Sequence, residues 1–407
     1  MAESESTPAA SATSAATTTP ETPAKRERLL TLPFGLIVAS GLAYFVSLAM
    51  LNPVVGPYVK DRLGKEDSFV GLAAGAFAVG AIALRPSSGR IGDRIGRRPL
   101  LLGGAAVVAI ATAGYGLVES YAWFVSMRVI AGFGEAAFFV GAATMITDRA
   151  PASRRGEAVS YWSIAVYGGL AFGPVLGEIV LGPDDDRFTA CWIVAASAAA
   201  IAVVLGLFTS EAEGRPAPPA PGGHLLHRRA LGPGLVLFLG FISLAGWNGF
   251  VKLYAREDLD TANVGGVFFL YGALILVIRV FGARLPDRLG ARQAGTGALG
   301  LGALGMVIVV AWPTLPGLYA GTAVFALGQS LAYPALLVLS LQGVSDSERA
   351  SVVGTFSSFF DLSQGVGGLL CGVVADAFGY RSMFAVGAVA ALAGVVYLRT
   401  APGLRRS

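Results

Sequence analysis

The chain has 407 residues, of which 54% are hydrophobic and only 14% charged, and its formal net charge is +4. A soluble protein carries about 25% charged residues because its surface must be solvated, so this composition excludes a water-soluble enzyme and indicates an integral membrane protein. About 220 residues are hydrophobic, close to the roughly 240 that twelve apolar spans of about 20 residues require.

The first segment of the chain cannot form a core. Residues 1–28 are rich in Ala, Ser, Thr and Pro, a composition that predicts a disordered tail. The apolar run 29–59 follows. It is too long for the core of a signal peptide and precedes no small-residue cleavage site, so we expect it to remain as the first span.

Eleven further spans follow in chain order. Two contain internal charge, and the stretch 293–345 is divided by a turn signal at 312–317. Twelve spans are predicted: 29–59, 68–84, 99–118, 121–147, 158–177, 188–210, 230–251, 261–278, two within 293–345, 350–375 and 382–398.

The distribution of Lys and Arg predicts the orientation, because cytoplasmic loops hold the excess. With the N-terminus inside, 21 of the 30 Lys and Arg lie on the inner side and 7 on the outer side, whereas Arg128 and Arg279 lie within spans. Arg85 is counted with the inner connection after span 2, and Lys252 with the outer side. We therefore predict a multi-pass plasma-membrane protein with both termini in the cytoplasm, and its positive charge requires no nucleic acid.

The two halves of the chain match at one offset of 194 residues. This register aligns, without a gap, Arg85 with Arg279, Asp93 with Asp287, Gly134 with Gly328, Arg155 with Arg349 and Gly173 with Gly367. Duplicated helical halves of this kind place a binding site between them and expose it alternately to each side.

The repeat also predicts the domain organisation. Two six-helix bundles occupy 29–208 and 230–400, a Pro-rich cytoplasmic linker covers 209–229, and a cytoplasmic tail covers 401–407. A membrane sensor or scaffold that inherited the duplication is the non-transporting alternative.

Residues 89–98 read Gly-Arg-Ile-Gly-Asp-Arg-Ile-Gly-Arg-Arg. This connection resembles the Gly-x-x-x-Asp-Arg-x-Gly-Arg-Arg loop of the major facilitator superfamily, and the resemblance covers residues 30–400. It implies an all-α membrane protein with twelve transmembrane helices in two pseudo-symmetric six-helix bundles, the major facilitator fold.

The charges of this loop suggest a conformational lock. Asp93 is expected to cap the start of span 11, near 347–351, and Asp287 the start of span 5, because helix N-termini attract carboxylates. The simpler interpretation of the arginines is that they only set topology. The motif consists of Gly89, Asp93, Arg94, Gly96, Arg97, Arg98, Asp287 and Arg288.

Span 4 contains two charged residues, Arg128 and Glu135. Its sequence resembles the family motif Arg-x-x-Gln-Gly-x-Gly-x-Ala, with Ala131 in place of Gln. A central charge costs roughly 2.5–3.5 kcal/mol on insertion scales and normally faces a cavity or a partner. The two residues lie about 10 Å apart along one face, too distant to neutralise each other. We expect proton coupling or ligand binding; the alternative is a structural ion pair between helices.

Span 5 resembles the Gly-x-x-x-Gly-Pro-x-x-Gly-Gly motif of the antiporter branch, with Glu178 at the last glycine. The resemblance favours a drug:proton antiporter-like exporter. Glu178 is a candidate for proton coupling, although it lies near enough to the end of the span to reach the interface. The helix-packing motif consists of Gly169, Gly173, Pro174 and Gly177.

Asp361 in span 11 is a further proton-coupling candidate. The repeat places Tyr167 at its position in the other half, and burial favours the protonated form of a lone carboxylate. Asp361 is alternatively a partner of Arg279 or of a neighbouring helix. The candidates for the substrate cavity, weighed against plain packing, are Tyr44, Asn52, Trp247, Asn248 and Gln329.

These features predict a secondary transporter that exports a small organic molecule in exchange for protons. The alternative is a proton symporter that imports a sugar or metabolite. A phosphate-binding loop is not found, and the Cys and His residues have no metal-ligand spacing, so we expect no enzyme activity, cofactor or metal. The expected partners are a small-molecule substrate, protons and the lipid bilayer, and the expected state is a monomer.

Overall fold

The structure, a computed structural model, describes residues 29–151, 154–211, 227–281, 289–345 and 348–401. These residues form helices joined by short connections, and no strand occurs among them. The result follows from the apolar sequence, because a chain surrounded by lipid must satisfy its backbone hydrogen bonds within each segment.

Each predicted span corresponds to a helix in the described residues, which confirms the fold class. The bounds are α1 Leu32–Ala49, α2 Asp67–Ile95, α3 Arg97–Gly114, α4 Tyr121–Asp148, α5 Arg155–Leu181, α6 Phe188–Leu207, α7 Arg228–Asp258, α8 Gly265–Phe281, α9 Ala291–Ala311, α10 Leu315–Leu341 and the long run Arg349–Thr400.

Two helices depart from a simple rod. Gly379 has a φ of 80° and divides the last run into α11 (349–378) and α12 (380–400). At the other end of the chain, α1 continues through the short helix Asn52–Pro57 and the π-helical turn Tyr58–Arg62. Helix α2 extends eleven residues past the predicted end of its span at 84, so Arg85 is not in a connection but inside a helix.

The two halves repeat the same packing. A Cβ added to Gly134 would lie 2.7 Å from the carbonyl oxygen of Gly104, between α4 and α3. A Cβ added to the equivalent Gly328 of α10 would lie 2.5 Å from the carbonyl oxygen of Ala298 in α9. Gly96 and Gly290 precede α3 and α9 with φ values of 101° and 82°, a conformation that glycine adopts without strain. The 194-residue repeat is thus a repeat of structure.

The halves meet where α2 packs on α11 and α5 packs on α8. A Cβ added to Gly75 would lie 2.8 Å from the carbonyl oxygen of Gly365, and one added to Gly272 would collide with Ala171. Small residues allow such close approach between membrane helices. The end of the bundle that holds the α1–α2 and α7–α8 connections is here called the α1–α2 face; it is external in the predicted orientation.

Gly132 provides a test of this close packing. A Cβ there would collide with the carbonyl oxygen of Phe77 and lie 2.9 Å from the nitrogen of Ala81 in α2. We expect Gly132→Ala to lower the free energy of unfolding by about 1–3 kcal/mol, as overpacking does.

The matched control is Gly297→Ala, because a Cβ at Gly297 has open space around it. This variant should be neutral or more stable, since Ala is the better helix former by up to about 1 kcal/mol. Thermal unfolding of the purified protein in detergent measures both. Equal stability of the two variants would contradict the packing.

Candidate functional site

The principal polar site centres on Arg85, which lies in α2 ten residues before that helix ends at Ile95. Its Nη2 lies 2.7 Å from Oε2 of Glu135 in α4, and its Nε lies 2.8 Å from Oδ2 of Asp361 in α11. The guanidinium carbon lies 5.3 Å from the ring centre of Phe139. The side chains of the three charged residues are only 16%, 11% and 8% exposed.

This triad of Arg85, Glu135 and Asp361 connects the two halves. Arg85 and Glu135 belong to the first half, and Asp361 belongs to the second. One guanidinium faces two carboxylates, so the triad carries one net negative charge when both acids are ionised. The structure therefore brings together Glu135 and Asp361, two of the predicted proton-coupling residues, through an arginine that joins them.

Arg128 lies apart from the triad. Its Nε donates a hydrogen bond of 3.1 Å to the carbonyl oxygen of Ala73, and its guanidinium lies over the ring of Phe77. Among the described residues, no carboxylate lies within ion-pair distance of Arg128. The prediction that Arg128 and Glu135 are too distant to pair agrees with these contacts; a coupling role for Arg128 stays a prediction.

A carboxylate caps a helix across the halves at the α1–α2 face. Asp376, near the end of α11, accepts hydrogen bonds from the backbone nitrogens of Asp67 and Ser68, at 2.6 and 2.7 Å. These nitrogens open α2, whose own N-cap residue, Glu66, makes no side-chain cap. Carboxylates stabilise helix N-termini in this position.

Lys60, in the π-helical turn after α1, adds ionic contacts at the same face. Its Nζ lies 3.1 Å from Asp67 and 3.0 Å from Glu257 of α7. It also donates to the hydroxyl of Tyr380 at 2.8 Å, and that hydroxyl donates to Asp67 at 3.0 Å. These contacts hold the start of α2 against α7 and α12, across the boundary between the halves.

A second buried ion cluster surrounds Lys252 in α7. Its Nζ lies 2.9 Å from Oε2 of Glu178 in α5 and 3.0 Å from Oδ1 of Asp185. The exposed fraction is 2% for the side chain of Lys252, 3% for that of Glu178 and 7% for that of Asp185. One expectation is corrected here, because Lys252 lies inside α7 and not in a connection. Glu178, for which reaching the interface was the alternative, is buried beside it. Its role in proton coupling stays a prediction.

The predicted cytoplasmic lock is only partly within the described residues. Asp287, Arg288 and the side chain of Asp93 lie outside them. Gly96 precedes α3, the backbone nitrogen of Arg98 donates to Glu211 at 2.8 Å, and Nε of Arg97 lies 3.5 Å from Asp148. Arg94 is exposed, and a Cβ added to Gly89 would have no atom of the described residues outside its own helical turn within 4 Å. The lock stays a prediction.

The α5 motif packs against α1. Cβ atoms added to Gly169 and Gly177 would collide with the chain near Phe45 and Met50, and one on Gly173 would lie 2.8 Å from Cβ of Ala49. Pro174 lies inside the helix. The motif therefore joins helices of one half and does not cross between the halves.

The five cavity candidates occupy different environments. Tyr44 is fully buried and stacks on Phe138, with 3.7 Å between the ring centres. Trp247 is fully buried and stacks on Tyr271, with 4.4 Å between the ring centres. Neither presents surface to a ligand in this conformation. Gln329 is 6% exposed with its Oε1 lacking a hydrogen-bond partner among the described residues. The candidates on α7 and the α1 continuation, Asn248 and Asn52, are half-buried. Their assignment to the cavity stays a prediction.

Arg85, Lys252 and Asp376 were not among the predicted site residues. Arg85 is hidden because the apolar stretch ends at 84, although the repeat pairs it with Arg279, which directly follows the stretch 261–278 and was counted with that span. Lys252 follows an apolar run and resembles a topology signal. Asp376 has Gly182 at its repeat position, so symmetry gives no signal for it.

Comparison with known families decides the class of protein. The model of the Major Facilitator Superfamily matches residues 37–315 and 234–407. The chain belongs to this superfamily. It is a multi-pass membrane transporter of small molecules that works by alternating access, and not an enzyme.

Curated relatives agree with this assignment. An uncharacterised major facilitator transporter of Salmonella typhimurium is 28% identical over 355 residues, which cover 84% of this chain and 89% of the relative. A similar transporter of Burkholderia mallei is 26% identical over 379 residues, with 90% and 91% covered.

Solved structures show the same fold. A variant of the nucleoside transporter NupG has a TM-score of 0.76 at 14% identity, covering 91% of this chain and 99% of its own. The human organic anion transporter MFSD10 has a TM-score of 0.68 at 20% identity, with 90% and 99% covered. A bacterial homologue of the human lysosomal transporter Spinster, in an inward-facing conformation, has a TM-score of 0.70 at 19% sequence identity. The match covers 90% of this chain and 94% of the homologue. At these identities the similarity concerns the fold alone.

Asp376→Ala tests the helix cap between the halves. Loss of a capping carboxylate costs about 1 kcal/mol, so the equilibrium should shift roughly fivefold toward conformations that are open at the α1–α2 face. Spin labels at Leu117→Cys and Asp260→Cys, on opposite halves of that face, report the change as a longer distance distribution. Both native cysteines are buried.

The control for this shift is Asp186→Ala, which removes an exposed carboxylate from the same face. It should leave the distance distribution unchanged. If both variants gave the wild-type distribution, the cap would have no part in closing this face.

Lys252→Met tests the second ion cluster. Removing the cation leaves Glu178 buried without a cation and leaves Asp185 only Arg256, at 3.9 Å; breaking a buried pair in this way costs about 3–5 kcal/mol. Thermal unfolding should show a large loss of stability, and the added changes Glu178→Gln and Asp185→Asn should restore most of the lost stability. The exposed Lys65→Met is the control and should stay within about 0.5 kcal/mol; a loss as large as that of Lys252→Met would count against the cluster.

Proposed function

We propose that this transporter exports a small organic molecule in exchange for protons, and that the triad is its proton-sensitive contact. The observation that carries the proposal is the sharing of one guanidinium by two carboxylates from opposite halves. With both acids ionised, the triad has an unbalanced negative charge in a region where such charge is costly. One bound proton removes that charge.

The proton has a consequence for helix contacts, because Asp361 is the member of the triad on α11. Protonation reduces its attraction to Arg85 to that of a hydrogen bond with a neutral group. Arg85 keeps Glu135, which belongs to its own half. The proton therefore changes the free-energy difference between states with α2 and α11 together and states with them apart.

The neighbouring polar groups leave this charge balance unchanged. Tyr333 of α10 lies near Arg85 and Asp361, and its hydroxyl lies 3.0 Å from Oγ of Ser357. Tyr44 of α1 lies near Glu135 and Arg85. Both side chains are phenols, which carry no charge at neutral pH, so Glu135 and Asp361 are the acidic groups that contact Arg85 among the described residues.

The direction of transport is supported by the α5 sequence. Its Gly169–Gly177 motif resembles that of the antiporter branch, and the structure packs these glycines on α1. Proton symport with uptake would use the same triad. The two directions differ in the sign of the pH change that the substrate causes, so one flux measurement separates them.

The experiment uses the full chain in proteoliposomes. A compound that stabilises the purified protein in a thermal screen is loaded, and its flux is measured with and without an imposed pH gradient. Wild type should move the compound against its gradient as protons move in the opposite direction. Movement of both in the same direction would establish symport instead.

Asp361→Asn tests the role of the triad. The amide imitates a protonated acid that cannot release its proton, so we expect gradient-driven flux to fall at least tenfold while exchange of labelled for unlabelled compound continues. Asp186→Asn is the control and should transport like the wild type. Gradient-driven flux at the wild-type rate in Asp361→Asn would refute proton coupling through the triad.

A further inference from the structure

The arginine related to Arg85 by the repeat has a different environment. Arg279 of α8 lies over the ring of Tyr167 in α5, with 4.4 Å between the guanidinium carbon and the ring centre. Its Nε is buried and has no hydrogen-bond partner in the described part of the chain. No carboxylate of the described residues lies within ion-pair distance, and the residue as a whole is half-buried.

The repeat explains why Arg279 lacks an acid. Offset by 194 residues, Glu135 corresponds to Gln329 and Asp361 to Tyr167. At the repeat positions of both carboxylates that contact Arg85, the second arginine thus has neutral residues, of which Tyr167 is in contact with it. The ring of Tyr167 supplies a cation–π contact but no negative charge, so no acid among the described residues compensates the positive charge of Arg279.

The position of this charge matters for transport. Arg279 and Tyr167 belong to opposite halves, at the α5–α8 contact, where a cargo bound between the halves touches both. Tyr333 lies near Tyr167, Arg85 and Asp361, so the two arginine sites flank the same region. A charged residue inside a membrane protein faces a partner or a ligand, and the described residues provide no carboxylate within ion-pair distance of Arg279.

We propose that Arg279 binds the negatively charged group of the cargo, and that the cargo is a small organic anion with a carboxylate or comparable group. Nη atoms of the guanidinium donate hydrogen bonds to the anion, with the planar group held on Tyr167. The inference rests on the proposed function in one respect, that the cargo occupies the region between the halves. It names the substrate class, which the triad does not.

Symmetry supplies a direct test. Tyr167→Asp places a carboxylate where the other half has Asp361, so Arg279 gains a partner within the protein. We expect this variant to lose anion binding, whereas Tyr167→Asn, of the same size and neutral, should retain most of it. Arg279→Gln should abolish binding, and Arg279→Lys should weaken it.

The probes are benzoate, salicylate and nicotinate, each paired with its neutral amide. Their binding to the purified full chain at neutral pH is followed by thermal stabilisation and by isothermal titration, without a gradient. Wild type should bind the carboxylates roughly ten- to hundredfold more tightly than the amides, as expected for one charge-assisted hydrogen bond. Arg381→Gln, which removes an exposed arginine, is the charge-matched control and should bind like the wild type.

Each outcome decides the proposal. It is overturned if no carboxylate binds at millimolar concentration, if amides bind as well as carboxylates, or if Tyr167→Asp binds like Tyr167→Asn. Should Tyr167→Asp fail to fold, Arg279→Gln against Arg381→Gln gives the same decision. Because this assay needs no proton flux, the anion site and the triad can fail separately: intact gradient-driven flux without anion binding would overturn only the anion site.

Discussion

A charge surrounded by hydrocarbon is stable only beside a partner, and the arrangement of this transporter follows from that constraint. Most of its Lys and Arg lie at helix ends. Arg128 of α4 contacts only α2 of its own half, but the triad and the cluster around Lys252 lie where helices of the two halves meet. The ion pairs of these two clusters therefore depend on whether the halves are together.

Apolar contacts cannot perform this role in a membrane, because lipid tails solvate Leu and Val as well as a neighbouring helix does. The close contacts between α2 and α11 use glycines, which permit approach but discriminate little between states. Hydrogen bonds and ion pairs, which depend on direction and distance, supply the free-energy difference between the states. At the α1–α2 face, Asp376 caps α2 and Lys60 joins α2 to α7 and α12. Opening that face requires water or other partners to replace these contacts.

The sequence was sufficient for the fold, because twelve apolar stretches and a fixed repeat leave few alternatives. Helix ends were less predictable. The apolar stretch ends at 84, but the backbone of α2 stays helical to Ile95, because a helix can continue beyond the apolar part of its span. Glu135 and Asp361 were recognisable as charges inside spans. Their common partner was not, because a contact between residues 276 positions apart depends on how the halves dock.

The same reasoning explains the capping interactions. A carboxylate at a helix start in the opposite half was predicted for Asp93 and Asp287 from a motif, and a cap of that type is found for Asp376 at the other face. The physical principle was transferable, but the residue was not, because Asp376 stands outside every motif and has no acidic counterpart in the repeat. Tertiary placement alone identifies it.

The different environments of the two repeat-related arginines, Arg85 and Arg279, have an energetic consequence. Arg85 lies between two carboxylates, whereas Arg279 has no acid within ion-pair distance among the described residues, so the proposed cargo supplies the negative charge there. In the proposed exchange, a proton entering and an anion leaving both move positive charge inward. Each elementary charge contributes about 2.3 kcal/mol per 100 mV of membrane potential. The cycle is then electrogenic, and an inside-negative voltage alone drives the cargo outward when the pH is equal on both sides.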